Sequence, residues 1–198
     1  MVIYYDTTKQ LSKVEEMRVT GGKVKGTHLK SLPRGSIRPT TGLVKQALFS
    51  ILDNSTANWR YILDLYAGTG ALGIEALSRG AEWVDFVDYR KSCCDIIRTN
   101  LERIGQLHRA HIYCCSVAKA IVFLEKSYDI IFMDPPYSDP SANSVLAGLA
   151  ESRLLALDSS VVLCHANRFP LMANYDGLHL VKQRRYGDTF IFIYEKEV

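Results

Sequence analysis

From Tyr61 onward, short apolar runs alternate with longer segments of helical periodicity. This alternation restricts the possible folds of the chain more than any other feature of the sequence. Each run is long enough for one strand, and most of the intervening segments are long enough for a crossover helix. Such an order is typical of a parallel sheet covered by helices. The predicted strands are 61–66, 83–87, 110–114, 128–133, 160–164, 178–183 and 189–194, and the predicted helices are 71–79, 90–104, 117–126, 141–155 and 168–174.

The last two predicted strands are joined by the short segment from Arg184 to Asp188, which cannot hold a crossover helix. These two strands should therefore form an antiparallel hairpin. We expect an α/β fold with a seven-stranded mixed sheet whose last strand is antiparallel. That sheet is the one found in Rossmann-like class I methyltransferases.

The first sixty residues follow a different pattern. Arg18–Leu32 alternates in polarity and is interrupted by three glycines, which predicts a small N-terminal β-hairpin extension. A helix is predicted over Thr40–Asp53, starting after Pro39. We expect three parts: an N-terminal extension over 1–16, a basic hairpin and helix over 17–57, and the main α/β domain over 58–198.

Charge is distributed unevenly along the chain. Residues 1–60 contain ten Lys or Arg against four acidic residues, a net charge of +6, whereas the remaining residues sum to −3. Such asymmetry is expected of an arm that binds a polyanion, although a solvated basic face has the same composition. The candidate RNA contacts are Arg18, Lys23, Lys25, Lys30 and Arg34, joined by Arg184 and Arg185 near the C terminus.

Composition argues against several classes of protein. No apolar run reaches the roughly 20 residues that a membrane-spanning helix needs, and the N-terminal residues lack the layout of a secretion signal. The five cysteines include two adjacent pairs and no C-x-x-C spacing, which argues against a disulfide framework and against a zinc site. We expect a cytoplasmic protein that binds no membrane and no metal.

A glycine-rich turn follows the first predicted strand. Gly68 and Gly70 in A-G-T-G-A-L-G let the backbone approach a ligand that a Cβ would exclude. The G-x-G-x-x-G spacing alone also fits a dinucleotide, but Asp64 just before the turn would repel a pyrophosphate. An adenosyl cofactor is therefore expected, and its predicted contacts here are Asp64, Tyr66, Ala67, Gly68, Gly70 and Asp88.

Two of these acidic residues have alternative roles. Asp88 ends the second predicted strand, where it can accept the ribose hydroxyls of an adenosine or cap the helix that follows. Asp64 can meet a cationic amino-acid group of the cofactor, or it can simply order the loop. The two roles are compatible for each residue.

The strand predicted at 128–133 leads into Asp134-Pro135-Pro136-Tyr137, at the edge where open α/β sheets bind ligands. The prolines restrict the backbone and remove two N–H donors, which leaves carbonyls that only accept hydrogen bonds. The Asp134 carboxylate and the Pro135 carbonyl can each accept one N–H of an exocyclic amine, while Tyr137 stacks on the base. These four residues are the predicted catalytic pocket for methylation of an amino nitrogen on a nucleic-acid base, with no metal and no covalent intermediate.

Five blocks of the sequence carry a resemblance to a known family: MRVTGGKVKGTHL, IRPTTGLVKQALFSIL, LDLYAGTGALGIEALSRGA, DIIFMDPPY and YGDTFIFIY. From about Met17 to the C terminus, the chain resembles the bacterial 16S rRNA (guanine(966)-N2)-methyltransferases. The resemblance implies S-adenosylmethionine as methyl donor and N2 of a guanine in 16S rRNA as acceptor. It also implies that Arg38 and Thr40 lie near the active-site entrance and the cofactor.

The chain departs from the family pattern at several positions. Gln46 stands where the family commonly has Glu, and Asp88 stands where Glu is usual, which shortens the reach to the ribose. Cys115-Ser116 replaces an Asp or Asn beside the adenine, so the resemblance makes Ser116 the expected adenine contact. Residues 1–16 precede the family's usual start.

The resemblance implies a monomeric enzyme that acts on 16S rRNA, within a 30S particle or an assembly intermediate. Three alternatives remain open at this point. A DNA adenine-N6 methyltransferase would use the same D-P-P-Y, but no added target-recognition domain is present. A non-catalytic RNA-binding assembly factor is disfavoured because the glycine turn and D-P-P-Y are both intact. A small-molecule methyltransferase is disfavoured by the basic N-terminal arm.

Overall fold

The structure is a computed structural model that describes residues 17–31, 42–53, 59–136, 139–165 and 170–197. Within these ranges a short 3₁₀ turn, Leu107–Arg109, precedes the third strand. The helices are α1 (Gly42–Asp53), α2 (Ala71–Arg79), α3 (Lys91–Arg103), α4 (Val117–Phe123) and α5 (Ala142–Glu151). The strands are β1 (Tyr61–Leu65), β2 (Trp83–Asp88), β3 (Ala110–Cys114), β4 (Tyr128–Met133), β5 (Leu155–His165), β6 (Asn174–Tyr175), β7 (Leu178–Tyr186) and β8 (Thr189–Lys196).

The strands form one mixed sheet in the order β3-β2-β1-β4-β5-β8-β7-β6. Strands β1 to β5 are parallel, and β8 runs antiparallel to both β5 and β7. The strand order reverses between β1 and β4, so their carboxyl ends flank the crevice at which such sheets hold ligands. The predicted Rossmann-like mixed sheet is therefore confirmed.

The sheet contains one strand more than predicted. Strand β6 pairs with the start of β7 through a tight turn at Asp176 (φ 44°) and Gly177 (φ 80°). Positive φ at both central residues is what a type I′ hairpin turn requires. Because this hairpin draws the chain into the sheet, residues 170–173 are not helical and the helix predicted over 168–174 is wrong in its described part.

The boundary between α5 and β5 also differs from the prediction. Helix α5 ends at Glu151, where Ser152 leaves the helix and its N–H still donates to the Leu149 carbonyl. Strand β5 then begins at Leu155, inside the segment predicted as helix.

Both faces of the sheet are covered by helices, and alternate residues of β4 contribute to the two apolar cores. Ile130 and Phe132 lie on the face packed by α1, α2 and α3, whereas Ile131 and Met133 lie on the face packed by α4 and α5. Across the described ranges, no helix combines the length and apolar character needed to cross a membrane.

The predicted N-terminal hairpin is present in reduced form. One antiparallel bridge joins Arg18 to His28, and the chain between them turns tightly against α2. Several backbone N–H groups that could extend the hairpin donate instead to helix side chains: Thr20 to Glu75, Val24 to Ser78, and Lys30 to Asn100. These contacts attach residues 17–31 to the main sheet domain.

Candidate active site

The carboxyl ends of β1, β2 and β4 bring three predicted site carboxylates to one edge of the sheet. Asp64 lies in β1 beside Phe132 of β4, Asp88 ends β2, and Asp134 directly follows β4. The charges of Asp134 and Asp88 both act on Asp64, so each of these two carboxylates lies within electrostatic range of Asp64. The structure therefore places the predicted cofactor turn and the predicted catalytic segment side by side.

The glycine turn, residues 66–70, reverses the chain between β1 and α2. Tyr66 (φ 59°), Gly68 (φ 58°) and Gly70 (φ 78°) all have left-handed backbone conformations. The Ala67 N–H donates to the Val87 carbonyl at 3.0 Å, and the Ala67 carbonyl accepts the Gly70 N–H at 2.7 Å. A left-handed conformation is strained for a tyrosine, and it recurs where the surrounding structure fixes a functional loop.

Asp64 is buried and holds the start of α2. Its Oδ2 accepts the Gly73 N–H at 2.9 Å, so this carboxylate satisfies a donor in the first turn of the helix. Burial raises the pKa of Asp64 to about 7, and the neighbouring Asp134 and Asp88 carboxylates add to that rise. The contact with Gly73 is the loop-ordering role that was predicted for Asp64. The ionised carboxylate would also attract a nearby cation.

Asp88 connects the end of β2 to the glycine turn. Its buried carboxylate accepts the Gly68 N–H and the Arg90 N–H, both at 2.9 Å. The Arg90 guanidinium pairs with the same carboxylate, with 3.2 Å between Nε and Oδ1. Because α3 begins only at Lys91, the Arg90 N–H that Asp88 binds belongs to the residue before the helix.

The segment after β4 forms the second half of the site. Asp134 is partly exposed, Pro135 is buried and Pro136 is exposed. The Pro136 carbonyl accepts the Asp139 N–H at 2.8 Å, and the Asp139 carboxylate accepts the Ser141 N–H at 2.9 Å. Residues 134–136 and 139–141, called here the D-P-P loop, therefore lead directly into α5.

A hydrogen bond joins the two halves. The Tyr66 hydroxyl lies 3.1 Å from the Ser141 Oγ, across the space between the glycine turn and the D-P-P loop. Ser141 is the N-cap residue of α5 and Tyr66 begins the glycine turn. Sequence reasoning included Tyr66 as a cofactor contact but did not foresee this link, because the two residues are distant in the chain.

The remaining predicted site residues fall into three groups. Ser116 is the N-cap of α4, and its Oγ accepts the Lys119 N–H at 3.3 Å. The side chains of Arg18, Lys23, Lys25 and Lys30 are exposed. The predicted residues outside the described ranges are Arg34, Arg38, Thr40 and Tyr137.

Two buried polar residues support the site and were not predicted. Asn100 Nδ2 donates to the carbonyls of Thr69 and Lys30, both at 3.0 Å, and so connects the glycine turn to the N-terminal segment. Glu75 accepts both the N–H and the hydroxyl of Thr20 and pairs with Lys45 at 3.1 Å. A polar residue on the apolar face of a helix is the signal that could have identified both.

Among the described residues, no group of three or more His, Cys, Asp or Glu is arranged to hold a metal ion.

Comparison with known proteins identifies relatives along nearly the whole chain. Bacillus subtilis YlbH is 34% identical over 183 residues, which are 91% of this chain and 99% of YlbH. A Haemophilus influenzae protein named ribosomal RNA small subunit methyltransferase D is 27% identical over 192 residues, covering 91% of this chain and 94% of that protein.

Solved structures share the fold. Escherichia coli yhhF superposes with a TM-score of 0.78 at 24% identity, over 92% of this chain and 99% of yhhF. SMU.776, solved with S-adenosylhomocysteine, superposes with a TM-score of 0.60 at 14% identity, over 76% of this chain and 49% of that protein. A family described as conserved hypothetical protein 95 matches residues 17–195. The chain therefore belongs to the conserved hypothetical protein 95 family, the family that includes the rRNA methyltransferases its sequence resembles.

Proposed function

We propose that this protein transfers a methyl group from S-adenosylmethionine to the exocyclic N2 of a guanine in 16S rRNA. The observation that carries the proposal is the juxtaposition of the glycine turn with the D-P-P loop across the switch point between β1 and β4. One side offers a binding site for a cationic adenosyl group, and the other offers hydrogen-bond acceptors for an amine.

The residues of the turn fit the proposed donor. Asp64 and Asp88 place two carboxylates at the turn, which disfavours a pyrophosphate and favours a cation. S-adenosylmethionine carries a sulfonium and an ammonium group, and when bound it supplies an electrophilic methyl group. Asp64, Ala67, Gly68 and Gly70 would hold the cofactor at the turn, with Asp88 at the ribose and Ser116 at the adenine. Asp88 binds the ribose only if Arg90 gives up part of its ion pair with that carboxylate.

The D-P-P loop supplies the acceptor side. The Asp134 carboxylate and the Pro135 carbonyl each accept one N–H of the target amine, which orients the nitrogen lone pair toward the methyl donor. Alignment of this kind is worth roughly 7–11 kcal/mol of the barrier. Asp134 then accepts the proton that the methylated nitrogen loses, so a strongly tuned base is unnecessary. We propose Tyr137 and Pro136 as the surface against which the flipped base packs.

Basic residues of the N-terminal part are proposed to contact RNA phosphates. The proposed division is 17–57 for RNA binding and 58–198 for methyl transfer, with Arg38 and Thr40 at the entrance of the site. Asn100 links the Lys30 carbonyl to the Thr69 carbonyl of the glycine turn. The Lys23 N–H, in contrast, donates to the Ser78 carbonyl at the far end of α2. The substrate is a 30S particle or assembly intermediate, and the enzyme acts as a monomer. The relative named for small-subunit rRNA methylation supports RNA as the substrate.

A transfer assay tests the proposal directly. Tritium-labelled S-adenosylmethionine is incubated with the protein and either 16S rRNA or 30S particles from a strain that lacks the modification. The labelled RNA is then digested to nucleosides and separated. Label in N2-methylguanosine is expected, whereas label in N6-methyladenosine would favour methylation of an adenine.

A further inference from the structure

The tip of the C-terminal hairpin, residues 182–190, lies at the same edge of the sheet as Asp134. Arg185 of β7 is paired with Phe190 of β8, and Phe190 is paired with His165 at the carboxyl end of β5. Met133, the residue before Asp134, is paired with Leu163 of the same strand. The ladder of strand pairs therefore places the hairpin tip at the same edge of the sheet as the D-P-P loop, with β8 two strands and β7 three strands from β4.

The tip is strongly basic and its cations are open to solvent. Lys182, Arg184 and Arg185 are exposed, against the single acid Asp188. Arg184 donates from Nη1 to the Gln183 carbonyl, and Arg185 donates from Nε to the Gly187 carbonyl, both at 2.9 Å. Among the described ion pairs neither arginine is matched with a carboxylate, unlike Arg79 and Arg90, so most of their N–H donors remain available for an anion.

One partly exposed aromatic ring, Phe190, lies beside Arg185, and the buried Phe192 supports it from the core. The Arg185 guanidinium lies 5.6 Å from the centroid of the Phe190 ring, and Phe190 stacks on Phe192 with 6.0 Å between centroids. Basic groups interleaved with aromatic rings are the combination that binds single-stranded nucleic acid, through phosphates and stacked bases.

The basic turn near the N terminus has a different position. Its Lys23 N–H donates to the Ser78 carbonyl near the C-terminal end of α2, and α2 begins at the glycine turn. A helix of this length separates its two ends by about 13 Å, at about 1.5 Å per residue. Lys23 therefore lies toward the opposite edge of the sheet, whereas the tip of the C-terminal hairpin lies at the edge that carries the D-P-P loop.

We propose that the tip of the C-terminal hairpin binds the RNA backbone at the edge of the sheet that holds the target base, through Arg184 and Arg185 on its two faces, with Phe190 packed against Arg185. This proposal rests on the proposed function, since it assigns the surface by which the same site holds its RNA. Phosphate contacts at this position set the register of the strand over the D-P-P loop without reading its sequence.

Charge-neutralising variants test this surface. R184Q/R185Q is compared with R98Q/R153Q, which removes the same charge from exposed positions of α3 and of the α5–β5 connection. The Michaelis constant for 30S particles or 16S rRNA is measured, and so is the salt dependence of RNA binding. R184Q/R185Q is expected to raise that Michaelis constant about tenfold, and the slope of log affinity against log salt should fall by about two. Cofactor affinity and kcat at saturating RNA should match the wild type.

The proposal is overturned if R184Q/R185Q keeps the Michaelis constant and the salt slope of the wild type. It is also overturned if R98Q/R153Q loses as much RNA affinity as R184Q/R185Q. A third contrary result is that R184Q/R185Q loses affinity for duplex DNA but keeps its affinity for RNA. The charge-retaining pair R184K/R185K separates charge from folding, because it should keep the salt slope of the wild type. Failure of the wild type to methylate RNA would count against the proposed function. Normal RNA affinity in R184Q/R185Q alongside wild-type transfer would count against this surface alone.

Discussion

The glycine turn and the D-P-P loop lie side by side at one edge of the sheet but are held in place differently. The turn and the first turn of α2 after it are fixed by buried side chains from three other elements: Asp64 from β1, Asp88 from β2 and Asn100 from α3. The bonds described for the D-P-P loop run mainly between its own residues, and Tyr66 connects it to the turn. Buried side chains of several elements therefore preorganise the donor site, whereas the D-P-P loop is joined to that site through Tyr66.

The largest effect is expected from Asp134→Ala, which removes a hydrogen-bond acceptor from the D-P-P loop and leaves the glycine turn as it is. Methyl transfer should fall by about 10³-fold, because the amine loses the group that orients it. Donor affinity, measured by calorimetry, should stay within about twofold since the glycine turn is untouched. A large loss of donor affinity would show that Asp134 belongs to the donor side, and the comparison would fail.

A change at Asp64 should act on the donor side instead. Asp64→Asn keeps an oxygen that can accept the Gly73 N–H but removes the negative charge, so the affinity for S-adenosylmethionine should fall by about tenfold or more, about 1.4 kcal/mol. The kcat at saturating donor should change less. A variant with normal donor affinity and a much lower kcat would assign Asp64 to the acceptor side.

The raised pKa of Asp64 also predicts how stability and binding depend on pH. Its pKa lies above the ordinary value of 3.8 and reaches about 7, so the stability linked to the protonated form is fully present below pH 3.8 and is lost as the pH rises through 7. A bound cation favours the ionised form, so the donor affinity of the wild type should rise between pH 6 and pH 8. Calorimetry should show proton release on binding, and Asp64→Asn should show neither effect. A wild-type affinity that does not change with pH would contradict this account.

Asn100→Ala tests how firmly the turn is held. The variant leaves the Thr69 carbonyl and the Lys30 backbone groups without their side-chain partner. The free energy of unfolding should fall by about 1–3 kcal/mol, measured by denaturant unfolding. Unchanged stability would mean that the turn does not depend on α3.

Tyr66→Phe should have the smallest effect, because it removes one hydroxyl and the hydrogen bond to Ser141. Unfolding free energy should fall by less than about 1 kcal/mol, while kcat falls a few-fold and the Michaelis constant for the donor is kept. Ser141→Ala should have a kcat similar to that of Tyr66→Phe, and the kcat of the double variant should be no lower than that of either single variant. Additive losses would show that the two side chains act separately.

The sequence allowed the glycine turn to be predicted because its signal is local: a strand, closely spaced glycines and a helix follow one another without a break. The parallel sheet was predictable because its alternating strand and helix patterns are local signals as well. Strand β6 was missed although the Asp176-Gly177 pair is a strong local hairpin signal, because the two-residue strand shows no alternation of its own. The N-terminal hairpin is reduced because Glu75, Ser78 and Asn100 bind its backbone, and such contacts depend on tertiary packing.

Within the site, too, residues marked by local motifs could be predicted, whereas contacts between distant residues could not. Asp64, Asp88 and Asp134 were predicted as site residues from motifs that mark the ends of strands. The Tyr66–Ser141 bond and the bridging role of Asn100 join groups that are distant in the chain and meet only after folding. A polar residue within an apolar helix face was the one sequence signal that pointed toward Asn100.

The identity of the accepting atom is the central claim, and a single base substitution in the substrate tests it. Once the labelled guanine has been mapped, that position is replaced by inosine, which lacks the exocyclic amine but keeps the rest of the purine. The substituted RNA should accept no methyl group, while RNA carrying 2-aminopurine at the same position, which keeps the amine, should still be methylated. Methyl transfer to the inosine-containing RNA at that position would contradict the account.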